Sequence, residues 1–218
     1  MAAEIPKQYL TVAGLPILEH TLRALLSCSD IRGLVVVLDP SDRRADTLEC
    51  LSDPRVSRAP GGAERADSVL SGLRALRAEA GWDDWVLVHD AARPCLPTLD
   101  LKRLIAHVEK YEVGAILAQP SVDTLKRVNN KGRVVKTLDR TKLWRAQTPQ
   151  MFRLRDLHDA LEACLITGLE ITDEAHAMEL QGHKVQMIEG PSRNIKVTVP
   201  EDLALAALYL SDGQEKEQ

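Results

Sequence analysis

Short, uninterrupted apolar runs alternate with longer stretches of helical periodicity, and no other feature constrains the fold of this chain as strongly. The runs at 33–39 (GLVVVLD), 85–90 (WVLVHD) and 113–119 (VGAILAQ) are continuous rather than every-other-residue. That is the pattern of strands covered on both faces in a parallel sheet. Between them, 17–26 places Leu18, Leu22 and Leu25 on one helical face behind Pro16 in the opening turn. The stretch 64–77 does the same with Ala66, Val69, Leu70, Leu73 and Leu76. Thr172 reads as an N-cap, with Asp173 and Glu174 opposing the helix dipole in the first turn. Pro200 opens a last helix carrying Leu203, Ala207 and Leu210, and the tail after Ser211 is polar. The expected fold is one α/β domain over 1–218, with an open, mostly parallel sheet flanked by helices.

One stretch departs from the alternation. Residues 122–128 (VDTLKRV) and 133–139 (RVVKTLD) flank Asn129-Asn130-Lys131-Gly132, which reads as a β-hairpin. A hairpin charged on both faces has little to bury by itself. It is either a solvated arm, over about 121–142, or an element that packs on a partner chain.

The composition narrows the function classes. With a net charge of −4, the chain does not have the profile of a protein that coats nucleic acid, although a local cationic pocket for a small anion fits. Cys28, Cys50, Cys95 and Cys164 form no CxxC, so neither a zinc framework nor a redox motif is legible, and scattered cysteines suit a reducing cytoplasm. No apolar run approaches the ~20 residues that cross a bilayer, and the opening MAAEIPKQYL lacks the pattern of a secretory leader. Serine-hydrolase, zincin and Walker motifs are missing as well.

Four groups of residues have the chemistry of a phosphate site, and all sit near the ends of predicted elements, where open α/β sheets bind ligands. Lys7, in PKQYL, could hold a phosphate as a point charge; alone it also reads as a solvated lysine. Gly61 and Gly62 open a helix that continues to Ser68, offering close backbone approach and free N–H groups, or simply a capped loop. In 88–94 (VHDAARP), Asp90 follows a buried strand and precedes Arg93 by three residues. Asp90 could hold Mg²⁺, which uses few carboxylates, and Arg93 could pair with phosphate; the alternative is an ion pair closing a turn. His89 reads as packing. The fourth group is Thr124, Lys126, Arg140, Thr148, Thr172 and Lys196, with Thr148-Pro149-Gln150 and 194–198 (NIKVT) reading as loop ends rather than core.

In this order PKQYL, GGAERADSV, VHDAARP, DTLKR, LDR ahead of LWRAQTPQ, TDEA and NIKVT resemble the 2-C-methyl-D-erythritol 4-phosphate cytidylyltransferases of the non-mevalonate isoprenoid pathway, over nearly the whole chain. The resemblance implies a Rossmann-like fold with a projecting β-arm that interlocks two subunits. It implies transfer of CMP from CTP to the sugar-alcohol phosphate, with Mg²⁺, releasing diphosphate. On this basis Lys7 meets the CTP phosphates and acts in catalysis with Lys196. Gly61, Gly62, Ser68 and Asp90 take the nucleotide. Asp90, Arg93, Thr148, Thr172 and Lys196 serve the acceptor in their own subunit, with Asp90 as the metal ligand. Thr124 and Arg140 reach the neighbouring subunit's site. A cytidylyltransferase for another polyol phosphate, such as ribitol 5-phosphate, and a non-catalytic homologue are the alternatives. The second is motivated by a departure: family members carry a first strand and a Gly-rich loop ending in Arg-Met before PKQYL, and Met1 falls where that loop ends. The expectation is therefore a sheet with exposed edges and weak CTP binding. Ala63 stands where some members carry an acidic residue.

Overall fold

The three apolar runs become strands in the computed structural model, which describes residues 5–214. A two-residue hairpin, β1 (Thr11–Val12) and β2 (Leu15–Pro16), leads into α1 (Ile17–Leu26). Then follow β3 (Leu34–Leu38), β4 (Val56–Pro60), α2 (Arg65–Leu76), β5 (Trp85–Val88), α3 (Thr98–Tyr111) and β6 (Ala115–Pro120). The predicted hairpin is β7 (Lys126–Val128) and β8 (Val134–Thr137), paired antiparallel and exposed along both strands. The chain closes with β9 (Trp144–Arg153), α4 (Leu154–Thr167), α5 (Glu174–Leu180), β10 (Gln186–Glu189) and α6 (Pro200–Gln214). No helix among the described residues is long and apolar enough to cross a membrane.

The sheet corrects the expectation of a single, mostly parallel array. Four strands run in the order β10-β6-β9-β5, and β9 lies antiparallel between β6 and β5; only β10 and β6 pair in parallel there. The other parallel pair, β3 with β4, forms a separate two-stranded sheet. The long strand β9, which no apolar run marks in the sequence, is what makes the sheet mixed.

Alternate residues of β6 feed two cores. Ile116 faces Phe152, α2, α4 and α5, where Leu70, Leu73, Leu157, Leu161 and Met178 pack. Ala115 and Leu117 face α3, through Leu101, Leu104 and Val108. This two-sided burial is why 115–118 is apolar at every position. A third cluster seats α1 on β3 through Leu18, Leu22 and Val36.

Between β3 and β5 lies a cavity of about 930 Å³, floored by Val35, Val37, Leu87 and Val88 and walled by α1 and α2. Among the described residues β3 bonds only to β4, and β5 only to β9, so each presents an unpaired edge.

Gly114 shows how tightly the first core closes. A Cβ there would stand 2.3 Å from Phe152 Cδ1 and 3.2 Å from the Met151 carbonyl oxygen, and Phe152 is fully buried. Gly114→Ala is expected to cost about 2 kcal/mol of stability, since a packed ring can move only by displacing its neighbours. A thermal melt should fall by roughly 5 °C; an unchanged midpoint would show that the ring relaxes freely.

Candidate active site

The polar end of the same cavity carries Lys7, Arg65, Ser68, His89, Asp90 and Lys196. Asp90 organises it. Its Oδ2 lies 3.1 Å from Lys196 Nζ and 3.3 Å from Arg93 Nε, and its Oδ1 lies 3.5 Å from Arg65 Nη2. Burial pushes the Asp90 carboxyl up, but the charges of Lys196, then Arg65 and Arg93, outweigh that and hold it below the usual carboxylate range. It is therefore an anion throughout the neutral range, surrounded by three cations.

The turn after β5 is held by hydrogen bonds from three sides. The Asp90 N–H donates to Thr148 Oγ1 at 3.0 Å. His89 Nδ1 lies 3.0 Å from the same hydroxyl, and its Nε2 lies 3.2 Å from the Arg93 carbonyl oxygen. A carbonyl only accepts, so Nε2 carries the ring proton and Nδ1 accepts from Thr148. Burial pushes the imidazole down to about 4, which keeps it neutral in this chain of bonds. His89 is thus a connector rather than mere packing. Arg93 Nη1 donates to the Asn194 carbonyl at 2.7 Å, and the Val197 N–H donates to Ala92 O at 2.8 Å. These two bonds tie the Lys196 segment to the Asp90–Arg93 turn.

The predicted loop ends need correction. Thr148 and Gln150 belong to β9 and are buried, and Asn194 is fully buried. Gln150 donates from Nε2 to Asp173 Oδ2 at 3.0 Å and accepts from the Ala175 N–H at 2.8 Å, pinning the start of α5 to the sheet. The N-cap of α5 is Asp173, not Thr172: its extended backbone lets Oδ1 accept from the His176 N–H at 2.9 Å. Thr172, one residue earlier, is exposed, with its hydroxyl 3.4 Å from His176 Nδ1.

Other predicted residues fall in three places. Ser68 Oγ accepts from the Gly62 N–H at 3.0 Å and donates to Glu64 O at 3.1 Å, so it closes the glycine loop over α2. Gly62 is required for that closure, because a Cβ there would lie 2.3 Å from Asp67 Cβ. Gly61, next to it, donates its N–H to Leu38 O at 2.7 Å and so anchors the loop to the end of β3. Arg93 and Thr148 meet Asp90 directly. Thr124 and Arg140 sit on the exposed arm, where Arg140 Nη1 donates to Val122 O, and neither lines the cavity of its own chain.

Two participants escaped the sequence reading. Arg65 opens α2 within GGAERADSV, and Glu174 opens α5 within TDEA; they form a bidentate pair at 2.6 and 3.0 Å across 109 residues. The signal available was an acidic residue at a helix start, which reads equally well as dipole compensation.

Chemically, the end of β5 offers a cluster of fixed cations, one ionised carboxylate and no nucleophilic side chain or paired acid and base. That is chemistry suited to phosphates. Among the described residues no three His, Cys, Asp or Glu side chains cluster as a metal cage. A lone carboxylate such as Asp90 fits an ion that retains water and takes its other ligands from phosphates.

Comparison with known proteins agrees with this chemistry. The family model described as IspD, 2-C-methyl-D-erythritol 4-phosphate cytidylyltransferase, matches residues 1–212. A protein of that name from Ectopseudomonas mendocina is 55% identical over 205 residues, 94% of this chain and 87% of that one. One from Aeromonas hydrophila is 54% identical over 217 residues, with 100% and 87% covered. A crystal structure of 4-diphosphocytidyl-2C-methyl-D-erythritol synthase superimposes with a TM-score of 0.85 at 41% identity, covering 94% of each chain. The Francisella tularensis cytidylyltransferase gives 0.84 at 33%, again covering 94% of each. An α/β fold with a cluster of cations around one carboxylate at a strand end, matched from first residue to last helix by one family, places this chain in the 2-C-methyl-D-erythritol 4-phosphate cytidylyltransferases, nucleotidyltransferases of isoprenoid precursor synthesis.

Proposed function

We propose that the chain transfers CMP from CTP to 2-C-methyl-D-erythritol 4-phosphate by positioning and charge neutralisation alone. The observation that carries this reading is Asp90 held among Lys196, Arg93 and Arg65 at the mouth of the cavity. A phosphate monoester loses its second proton near pH ~6, so at neutral pH the acceptor is already a dianionic nucleophile and needs no general base. One of its oxygens attacks the α-phosphorus of CTP. The bond to the bridging oxygen breaks, and its electron pair leaves with diphosphate. The obstacle is the mutual repulsion of two anions, which fixed cations remove. Lys7 faces the nucleotide phosphates, the loop of Gly61, Gly62 and Ser68 faces the nucleoside, and Arg93 and Lys196 hold the acceptor phosphate. Thr148 acts through the Asp90 backbone, and Thr172 borders the acceptor. Asp90 would hold Mg²⁺ together with nucleotide phosphates, and the ion when bound neutralises charge on the leaving diphosphate.

The arm makes the working unit a homodimer in this reading. Val122, Val128, Val134, Val135 and Trp144 are exposed on it or at its base. Between 121 and 145 the chain has eight Lys and Arg residues against two Asp, while the whole chain is −4. The rest of the molecule is therefore strongly acidic, and a basic arm with an apolar strip fits the body of a second copy. Thr124 and Arg140 then enter the partner's site. Four free cysteines fit the reducing cytoplasm as the place of action.

The deciding experiment is diphosphate release from CTP with Mg²⁺, using methylerythritol phosphate and ribitol 5-phosphate as parallel acceptors. Turnover with the first well above the second is expected. Turnover with neither overturns the reading, and preference for ribitol 5-phosphate reassigns the acceptor.

A further inference from the structure

Glu174 is 1% exposed, carries a charge, and does not line the cavity. Its partner Arg65 does line the cavity and reaches Asp90 as well. Burying a carboxylate costs more than an apolar side chain of the same size, so the pair is poorly explained as a stabilising device. Its effect on the site is direct. Both terminal nitrogens of Arg65 are engaged by Glu174, at 2.6 and 3.0 Å, which leaves fewer N–H groups and less net charge to face a ligand. Around Asp90 there are thus three cations and two carboxylates; without Glu174 the excess of positive charge would double.

We infer that Glu174 trims the charge of Arg65 so that the site holds phosphates firmly enough to react but loosely enough to release diphosphate. Arg65 is a phosphate ligand, and Glu174 is the positioning residue that moderates it. This rests on the phosphate-transfer reading above. The tether of α5 also matters here: Gln150 fixes the start of that helix, and with it the carboxylate, against β9.

The test is calorimetric titration of inorganic diphosphate, in magnesium-free buffer, into the full chain and three variants checked for folding by thermal melting. Glu174→Gln should bind diphosphate about tenfold more tightly than the parent. Arg65→Gln should bind it about tenfold more weakly, and the double variant, which restores the charge balance, should return to within about threefold of the parent. A structural role alone would weaken binding in all three. A folded Glu174→Gln variant that binds no more tightly than the parent overturns the inference. If that variant does not fold, the comparison of Arg65→Gln with the double variant decides: adding Glu174→Gln must tighten binding, and failure to do so overturns the inference equally. A parent that binds no diphosphate at all overturns the underlying phosphate-site reading and the inference with it.

Discussion

Replacing Lys196 with alanine is expected to lower kcat/KM for the sugar-alcohol phosphate on the order of a hundredfold or more, the scale of removing one preorganised donor from a charged transition state. The ammonium lies 3.1 Å from Asp90 Oδ2 yet is 41% exposed on its side chain, so it is anchored on one side and open to the cavity on the other. Its loss should barely touch folding, because a half-exposed pair contributes at most about 1 kcal/mol. Steady-state kinetics alongside a thermal melt separates the two. Lys196→Arg tests positioning, since a planar fork cannot reproduce a point charge at the same place. A fall smaller than about threefold in the alanine variant, with folding intact, would remove Lys196 from the proposed machinery.

Arg140→Ala should abolish turnover and yet be rescued by a second inactive protein. In the chain itself Arg140 is fixed to Val122 O on the exposed arm, away from the cavity with Asp90. If the arm serves the partner, a mixed dimer of Arg140→Ala and Lys7→Ala subunits contains one site with both residues intact. Equal mixing should then restore about a quarter of the parent activity, since half the dimers are mixed and each has one complete site. Co-purification of an untagged subunit with an affinity-tagged one verifies exchange between subunits before the assay. Exchange without rescue would show that Arg140 works within its own subunit.

What could be read from the residues follows a physical line. β6 is buried and β3 and β5 are half-buried under helices, so their apolar runs stand out without any knowledge of neighbours. α1 and α2 announce themselves by one-sided apolar spacing. β9 does not, because its Gln147, Thr148 and Gln150 are polar and buried at once. Their partners are Asp90, Asp173, Asn194 and Ala175, which come from distant segments, so the burial of these side chains becomes intelligible only after folding. The same applies to the site. Asp90 and Arg93, three residues apart, were conspicuous; Arg65 with Glu174, 109 residues apart, could not be paired by inspection. His89 reads as packing because a lone histidine beside a strand has no visible partner in sequence, while in the fold it has two.

The seam between β3 and β5 has a mechanical meaning. In an unbroken sheet, a ladder of main-chain hydrogen bonds fixes the spacing between neighbouring strand ends to a fraction of an ångström. Here the glycine loop and Ser68 follow β4 on one bank, while Asp90 and Arg93 follow β5 on the other. Across the seam, α1 packs on Val36 of β3 and on Trp85 and Leu87 of β5, and α2 lies against Val37 of β3 and Val86 of β5. Among the described residues, the spacing of the glycine loop from the Asp90–Arg93 turn therefore follows how two helices pack, and a substitution at a helix contact remote from both would be felt in that spacing.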